Sequence, residues 1–404
     1  MRIKVDYVFI NENLELIENA CIDISSSSII NIESNCKDVG DIYFPSSIAL
    51  PPLCNAHIHI LDNALVEYGE DQKLSNLVSL PYGKKYELLK KLSKDTILKS
   101  IKEVLTEALN NGVLFLGALL EFGDEGVQYL RKIESLSPII KIFPQPPPEQ
   151  WNNIDAYIEI LKKYKSIGMD TLLTLNWDEL KLLDHVAREV NGVIKAHVSE
   201  TLNLFNKRDF ERLSLLTKVL LVHGTYITSD VYEQYIKVRN IPWILCLRSN
   251  YYHSRYVPDI NLIQAHYKHN FPIAIGTDNS SWFTPSVLDE ISFAYTIYRV
   301  MTNDRKLLAY LLLYASTIGC YKTLGIGYHG LEVGAPPIML ILQNPVFNYS
   351  HNITISLVKR GYSSEKILIA GEEIIPLPST QMYKSKELRN ILSKLSFLSF
   401  HKVN

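Results

Sequence analysis

Residues capable of metal chemistry recur along this chain of 404 residues. The first pair, His57 and His59, lies in the segment "LPPLCNAHIHILD" (50–62). Residues i and i+2 of an extended strand point to the same side, so the two imidazoles are predicted to face the same way. Neutral imidazoles are common metal ligands, but two of them form a metal site only if other ligands join them.

Other residues of suitable types lie at the carboxyl ends of predicted strands. They are Glu121, His197, Glu200, His223, Arg248, Asn250 and Asp278. Four of the eleven histidines therefore stand at strand ends, together with an aspartate, and a role in the core alone does not account for that pattern. Three histidines and a carboxylate suit Zn²⁺ or Fe²⁺, with one coordination position left for water. A metal ion lowers the pKa of such a water molecule toward neutrality.

Strands and amphipathic helices alternate through the middle of the sequence. Strands are predicted at 53–59, 113–122, 138–145, 171–176, 193–200, 218–225, 243–250 and 273–279. Helices are predicted between them, for example at 94–112, 151–168 and 177–192, each ending in glycine. Eight strands that are each followed by a helix predict an α/β fold of the (β/α)₈ TIM-barrel type, in which the active site lies at the carboxyl ends of the strands.

The two ends of the chain differ from the middle because they contain short strands without helical periodicity. Residues 1–51 and 335–404 are predicted to form one small β-sandwich domain beside the barrel, which spans 52–334. The polar stretch 60–93 is longer than an ordinary connection. It is predicted to be either a lid over the site or a simple insertion.

Composition excludes several classes of protein. The net charge of −2 and the pI of about 6.6 do not favour a nucleic-acid partner. No apolar run reaches the roughly 18 residues expected of a membrane span, and the N-terminus does not resemble a signal peptide. A cytoplasmic protein is therefore predicted. The five cysteines contain no C-x-x-C pair, so neither a disulfide framework nor a cysteine zinc site is predicted.

Five motifs in this order resemble those of the amidohydrolase superfamily, the metal-dependent barrel hydrolases. The likeness is strongest to the branch containing cytosine, guanine and S-adenosylhomocysteine deaminases and the triazine chlorohydrolases. The motifs are "NAHIH" (55–59), "HVSET" (197–201), "LVHGT" (221–225), "CLRSN" (246–250) and "IGTDN" (275–279). Segments near both termini also resemble the small β domain of the family, so the resemblance covers nearly the whole chain.

The resemblance implies a role for each matching residue. It implies that one divalent metal ion, Zn²⁺ or Fe²⁺, is bound by His57, His59, His197 and Asp278. Asp278 would also accept a proton from the metal-activated water, His223 would polarise the group under attack, and Glu200 would carry the proton to the leaving nitrogen. Strand 4 lacks the lysine that bridges two metals in other family members. Lys195 is interpreted as a core or solvated residue rather than a bridge, which favours one metal.

Substrate contacts are predicted for Glu121, Arg248, Asn250 and Trp282. Glu121 could instead begin a helix cap, and Arg248 could form a salt bridge at the barrel mouth rather than bind an anionic or carbonyl group. Trp282 and "YYHSRY" (251–256) would supply aromatic walls for a planar ring.

The predicted reaction is hydrolytic deamination of an amino-substituted, nucleobase- or nucleoside-like heterocycle. Two alternatives remain open at this point. One is hydrolysis of a cyclic amide, chloro or other C–N substrate in the same site, and the other is a metal-free binding protein. The partner is predicted to be a small molecule, with no nucleic acid and no membrane, and the resemblance allows a homodimer.

Overall fold

Strands from the middle and the ends of the chain build two separate parts of the molecule. A computed structural model describes residues 1–79, 82–133, 138–378 and 385–395. The strands in these ranges are β1 Arg2–Ile10, β2 Glu15–Ile24, β3 Ile29–Glu33, β4 Ile42–Leu50, β5 Leu53–His59, β6 Val113–Leu120, β7 Ile139–Pro144, β8 Ser166–Met169, β9 Val193–Val198, β10 Val219–His223, β11 Trp243–Leu245, β12 Ile273–Ile275, β13 Asp278–Asn279, β14 Ile338–Gln343, β15 Glu365–Ala370 and β16 Glu373–Leu377.

Helices follow the middle strands and cover the outside of their sheet. Those in the described ranges are α1 Leu74–Val78, α2 Lys84–Lys91, α3 Lys94–Asn110, α4 Asp124–Arg131, α5 Ile154–Tyr164, α6 Trp177–Glu189, α7 Leu202–Asn206, α8 Ser229–Val231, α9 Leu247–Ser254, α10 Ile260–Lys268, α11 Val287–Tyr298, α12 Arg305–Ala315, α13 Ile318–Leu324, α14 Ile353–Arg360 and α15 Lys386–Lys394.

The strands β5–β12 are parallel and form the predicted (β/α)₈ barrel, which is confirmed. The short strand β13 continues the eighth strand and pairs with β5, which closes the barrel. Gly276 lies at this closure. A Cβ atom there would stand 2.7 Å from the Cβ of His57, so only glycine allows the eighth strand to approach the first so closely.

The ends of the chain form one seven-stranded sheet, in the order β16-β15-β14-β4-β1-β2-β3. The strand β4 lies inside this sheet, parallel to β1 and antiparallel to β14, so both termini contribute to the small β domain, as predicted. The described strands make a single sheet. We keep 1–51, 52–334 and 335–404 as the proposed division into domains, and the last of these ranges extends past the described residues.

Local sequence signals set the boundaries of the barrel helices. Asn176 accepts hydrogen bonds from the backbone of the first turn of α6, and Glu179 bonds back to the Asn176 amide, which completes a capping box. In α3, the side chain of Ser93 caps the first turn, and Ile97, Ile101 and other apolar residues at helical spacing are buried.

The position of the fourth barrel strand differs from the prediction. The segment 171–176 contains a short 3₁₀ helix, and the fourth strand is β8, five residues earlier in the chain. The helix α5 ends at Tyr164 because Lys165 adopts the left-handed conformation, with φ of 54°. Gly168, interpreted from the sequence as a helix terminus, lies within this buried strand.

The prediction that the chain has no disulfide framework is wrong. Cys21 is bonded to Cys36 within the small domain, and Cys54 of β5 is bonded to Cys320 of α13, 266 residues away in the sequence. Cys54 and Cys320 are too far apart in the sequence to form a recognisable spacing motif. Cys246 is a buried free thiol.

No single helix among the described residues is long and apolar enough to cross a membrane. The helices α12 and α13, bent by 43° at their junction, pass the same test of length and composition only as a pair. Much of each of these two helices is buried in the protein core.

Candidate metal centre

The predicted ligand residues meet at the carboxyl ends of the barrel strands. The Nε2 atom of His57 lies 3.1 Å from Asp278 Oδ1 and 3.1 Å from the Nε2 atom of His197. The Nε2 atom of His59 lies 3.4 Å from the same oxygen of Asp278. All four side chains are buried, with residue exposures between 0% and 6%. The first, fifth and eighth strands therefore direct one aspartate and three imidazoles to one point.

The backbone bends sharply where these strands end. His223 and Asp278 have φ angles of 70° and 67°, in the left-handed region that residues other than glycine rarely occupy. Ser199, with φ of 48°, donates hydrogen bonds from its amide and hydroxyl groups to Asp209, at 2.6 and 2.7 Å. These bonds stabilise the turn after β9, and the next residue, Glu200, lies 3.7 Å from His223. Unusual backbone angles of this kind concentrate at functional sites.

The donor set fits a divalent metal ion. One nitrogen from each of His57, His197 and His223 and one oxygen of Asp278 lie within 4.8 Å of one another. Two ligands held at about 2.1 Å from a tetrahedral ion are about 3.4 Å apart, close to the separations between His57, His59, His197 and Asp278. Burial lowers the pKa of His57 and His197 well below the ordinary value, so both imidazoles are neutral and have lone pairs to donate.

A second buried polar cluster lies behind His59. The Nδ1 atom of His59 lies 2.7 Å from Glu121 Oε1, and the ammonium group of Lys85 donates to Glu121 and to Asp62, at 2.9 and 3.1 Å. A carboxylate that binds the remote nitrogen of a ligating histidine fixes the tautomer and orientation of the ring. Glu121 thus lies behind the proposed ligand His59, and sequence reasoning missed Lys85 and Asp62 altogether.

Charge pairing determines the protonation states in this second cluster. Burial opposes ionisation of Glu121, but Lys85 and the hydrogen bond with His59 lower its pKa to about 2. Burial likewise disfavours the Lys85 ammonium, but Asp62 and Glu121 raise its pKa well above the ordinary value. Burial raises the pKa of Asp62 to about 6, against the opposing effect of Lys85. A lysine ammonium and a glutamate carboxylate are therefore both ionised inside the protein.

The residues of the "CLRSN" motif make different contacts. Asn250 Oδ1 lies 2.8 Å from the Nδ1 atom of His223, and the hydroxyl of Ser249 donates to Asp278 Oδ2 at 2.5 Å. The backbone amide of Arg248 donates to Glu290 at 2.8 Å, and its guanidinium pairs with the same carboxylate. The guanidinium of Arg248 also donates to the carbonyl oxygen of Thr284 at 2.9 Å. Asn250 and Ser249 thus orient site residues, whereas Arg248 is held in an ion pair.

A cavity of about 1130 Å³ opens over the metal centre. Its walls include His59, Lys85, Asp170, His197, Glu200, Tyr252, His253, Asp278, Asn279 and Trp282. The ring of Trp282 stacks on Tyr68, with 5.1 Å between the ring centroids, and its indole N–H donates to the Tyr68 carbonyl at 3.1 Å. The Trp282 ring, supported by Tyr68, thus gives the cavity a flat aromatic wall near its polar residues, a combination typical of small-molecule sites.

The stretch 60–93 forms part of this cavity wall in its described residues. The amide of Glu67 donates to the carbonyl of Ser281 at 2.9 Å, and the hydroxyl of Tyr252 bonds to Glu70. Together with the bond from Lys85 to Glu121, these bonds join the stretch to the segments that follow the second, seventh and eighth strands. The "LPYGKK" segment within it begins at residues 80 and 81, which lie outside the described residues.

Glu200 is an acidic residue in the wall of this cavity. Burial raises the pKa of the Glu200 carboxyl above its ordinary value, which favours the neutral acid. His223, its neighbour at 3.7 Å, has a buried Nε2 atom without a hydrogen-bond partner among the described residues. An acid in the cavity wall with an imidazole beside it can serve a reaction that needs proton transfer.

Comparison with known proteins agrees with this geometry. The sequence profile of the amidohydrolase family matches residues 48–363. An uncharacterized protein of Methanocaldococcus jannaschii is 28% identical over 330 residues, which are 78% of this chain and 83% of that protein. Zinc-bound atrazine chlorohydrolase from Arthrobacter aurescens has a TM-score of 0.74 at 14% identity, with 98% of both chains covered. Aminofutalosine deaminase from Helicobacter pylori, bound to methylthio-coformycin, has a TM-score of 0.68 at 17% identity, with 93% of this chain and 99% of that chain covered.

Proposed function

Because the chain belongs to the amidohydrolase family, we propose that it is a metal-dependent hydrolase that deaminates a nucleobase- or nucleoside-like heterocycle. The observation that carries the proposal is the cluster of His57, His197, His223 and Asp278. The acid Glu200 lies beside His223 and lines the same cavity as His197 and Asp278. His59 completes the proposed ligand set. The solved structures of similar fold include a deaminase and a zinc-bound chlorohydrolase, which supports hydrolysis at a ring carbon.

Different residues of the chain have different roles in the proposed reaction. When bound, one divalent ion, for which zinc is our first choice and iron the second, supplies a Lewis acid that makes a water molecule nucleophilic near neutral pH. Asp278 accepts the proton of that water, and Ser249 holds the other carboxylate oxygen in place. His223, oriented by Asn250, donates or accepts a hydrogen bond at the group under attack. Trp282 provides the flat wall for the ring.

The position of Glu200 favours an amine as the leaving group. An amine must gain a proton to leave as ammonia, whereas chloride leaves without one. Glu200 is a buried acid with a raised pKa, placed within reach of a substrate that rests against His223. It can give its proton to the ring nitrogen, regain one from the added hydroxyl, and pass that proton to the departing nitrogen, while the proton held by Asp278 restores Glu200 for the next turnover. The proposed substrate contacts include Trp282 and the cavity residues near Glu200, but not Arg248.

The proposal also includes the kind of substrate, the location and the partners of the enzyme. A small-molecule substrate fits the cavity of about 1130 Å³, which has room for a nucleoside as well as a free base. The expectations of a cytoplasmic location, of no nucleic-acid or membrane partner, and of a homodimer remain part of the proposal.

Two measurements on the purified protein test the proposed function together. We expect about one zinc or iron atom per chain by mass spectrometry, and release of one ammonia per molecule of an amino-substituted purine or pyrimidine turned over. Release of chloride or of a carboxylic acid from the corresponding test substrates, without ammonia, would select the alternative hydrolysis. A protein that stays free of metal after reconstitution would overturn the proposal.

A further inference from the structure

Two groups of potential metal ligands lie side by side at the strand ends. The first contains His57, His197, His223 and Asp278, and the second contains His59, Asp62 and Glu121. His59 stands between them, because its Nε2 atom lies 3.4 Å from Asp278 Oδ1 and its Nδ1 atom lies 2.7 Å from Glu121 Oε1. Within each group, one ligand atom per residue lies within 4.8 Å of the others, and all seven side chains are buried. Geometry alone would therefore allow two cations at this end of the barrel.

The second group already contains a cation of the protein itself. The ammonium of Lys85 lies 2.9 Å from Glu121 Oε1 and 3.1 Å from Asp62 Oδ2, and the side chains of all three residues are at most 1% exposed. Among the described residues, no ammonium or guanidinium forms an ion pair with the first group. The two groups thus differ in that only the second is neutralised by a basic side chain.

Two oxygen atoms of the second group have no partner. Asp62 Oδ1 and Glu121 Oε2 are buried and make no hydrogen bond to any described residue, although both residues are 0% exposed. The amide of Asn279 donates to the other oxygen of Asp62 at 2.6 Å. Carboxylate oxygens that converge in a buried pocket are ligands that a divalent ion can use.

We propose that the Lys85 ammonium takes the place of a second metal ion and holds the centre at one ion per chain. The inference rests on the proposed function, because it assumes that the proposed ligands His57, His59, His197 and Asp278 bind one ion. Two buried carboxylates without a counter-charge are strongly destabilising, so a cation is required beside Asp62 and Glu121. A lysine meets that requirement permanently, whereas the occupancy of the site by a second metal ion would depend on the concentration of that ion.

Replacing Lys85 with alanine tests the proposal. The variant loses the ammonium and frees space beside Glu121 Oε1 and Asp62 Oδ2, so we expect two zinc ions per chain after reconstitution, against one in the wild type. Lys84→Ala is the matched control, because Lys84 is the exposed neighbour on the same helix, and it should keep one ion. The double variant Lys85→Ala/Glu121→Gln removes one carboxylate charge and should return to one ion.

A second variant, Lys85→Gln, keeps the test decisive if Lys85→Ala does not fold. Lys85→Gln is closer to lysine in length, and its amide oxygen can itself bind an ion, so it should bind a second zinc ion and gain thermal stability as that ion is added. The metal count in folded protein decides the matter without any activity measurement. One ion in folded Lys85→Ala and folded Lys85→Gln, with one in the wild type, would overturn the inference alone. No ion in the wild type would overturn the proposed function, and two would overturn the inference.

Discussion

Two fully buried lysines near the histidines, Lys85 and Lys195, have different partners. Lys85, in the cavity region formed by the strand ends and α2, pairs with two carboxylates and keeps its charge. Lys195 lies deeper, in the barrel framework formed by the strands below the histidines and their helices. Its amine donates to the carbonyl oxygens of Ala56 and Gly117, at 2.8 and 2.9 Å, and burial lowers its pKa well below the ordinary value.

The contrast teaches how to assign a role to a buried lysine. Backbone carbonyls satisfy Lys195 as a hydrogen-bond donor, so it joins β5, β6 and β9 without any counter-ion and provides no bridge between metals. Lys85 remains an ion because its partners are ions, and those partners lie next to a proposed metal ligand. Changes in the cavity region should therefore affect metal binding and turnover, whereas changes in the framework should affect stability.

The largest effect is expected in the cavity region, from Glu200→Gln. The amide cannot transfer the proton to the leaving nitrogen, so kcat should fall by about 10³-fold while the metal content and the melting temperature stay the same. Steady-state ammonia release, metal analysis and thermal unfolding measure the three quantities. Glu159→Gln, at an exposed position on α5, is the control. Full activity of Glu200→Gln would exclude Glu200 as the proton carrier.

The next effect is expected in the framework, from removal of the Cys54–Cys320 disulfide. This bond restrains 266 residues of unfolded chain, so Cys54→Ala/Cys320→Ala should lower the free energy of unfolding by about 2–4 kcal/mol. Urea unfolding at pH 7 measures the loss. The pair Cys21→Ala/Cys36→Ala, whose bond spans 15 residues, should cost less. Ammonia release at 25 °C should remain within twofold of the wild type. A tenfold loss of kcat with unchanged stability would contradict the division into regions.

The last effect is expected as a pH slope of stability and concerns Lys141, a second buried lysine of the framework that donates to the Leu324 carbonyl at 2.8 Å. Burial lowers its pKa to about 7, whereas in the unfolded chain the value is near 10.5. Between these values the unfolded state binds more protons than the native state, so the free energy of unfolding should rise with pH. The contribution of Lys141 is at most about 1.4 kcal/mol per pH unit.

Comparison with Lys141→Met isolates that contribution. Urea unfolding between pH 7 and 10 should show a steeper rise for the wild type than for the variant, because methionine cannot take up the proton. Equal slopes would mean that Lys141 is charged in the native state and that the framework, too, contains a buried ion.

Much of the site follows from the sequence because its signals are local. The alternation of a strand places His57 and His59 on one side, and the motifs place His197, His223 and Asp278 at strand ends. The barrel supplies the rest, since parallel strands bring their carboxyl ends to the same edge.

Other features depend on contacts between distant residues. Lys85 lies in "KKYELLKK", which resembles a solvated helix, and only packing against Asp62 and Glu121 shows that it is buried. Arg248 is held by Glu290, 42 residues later in the chain. No local sequence pattern predicts that pairing. The fourth strand was misplaced because the left-handed Lys165, rather than a glycine, ends the preceding helix.

The position of the metal centre on the closing seam of the barrel has a consequence for synthesis of the chain. His57 and Asp278 belong to the first and eighth strands, and 221 residues separate them. The ribosome must therefore finish the whole barrel before the site can assemble. The strand that carries His57 also follows β4, whose partner β14 is made later still. A chain that ends before the eighth strand therefore lacks Asp278, so the candidate ligand set is complete only after that strand has been made.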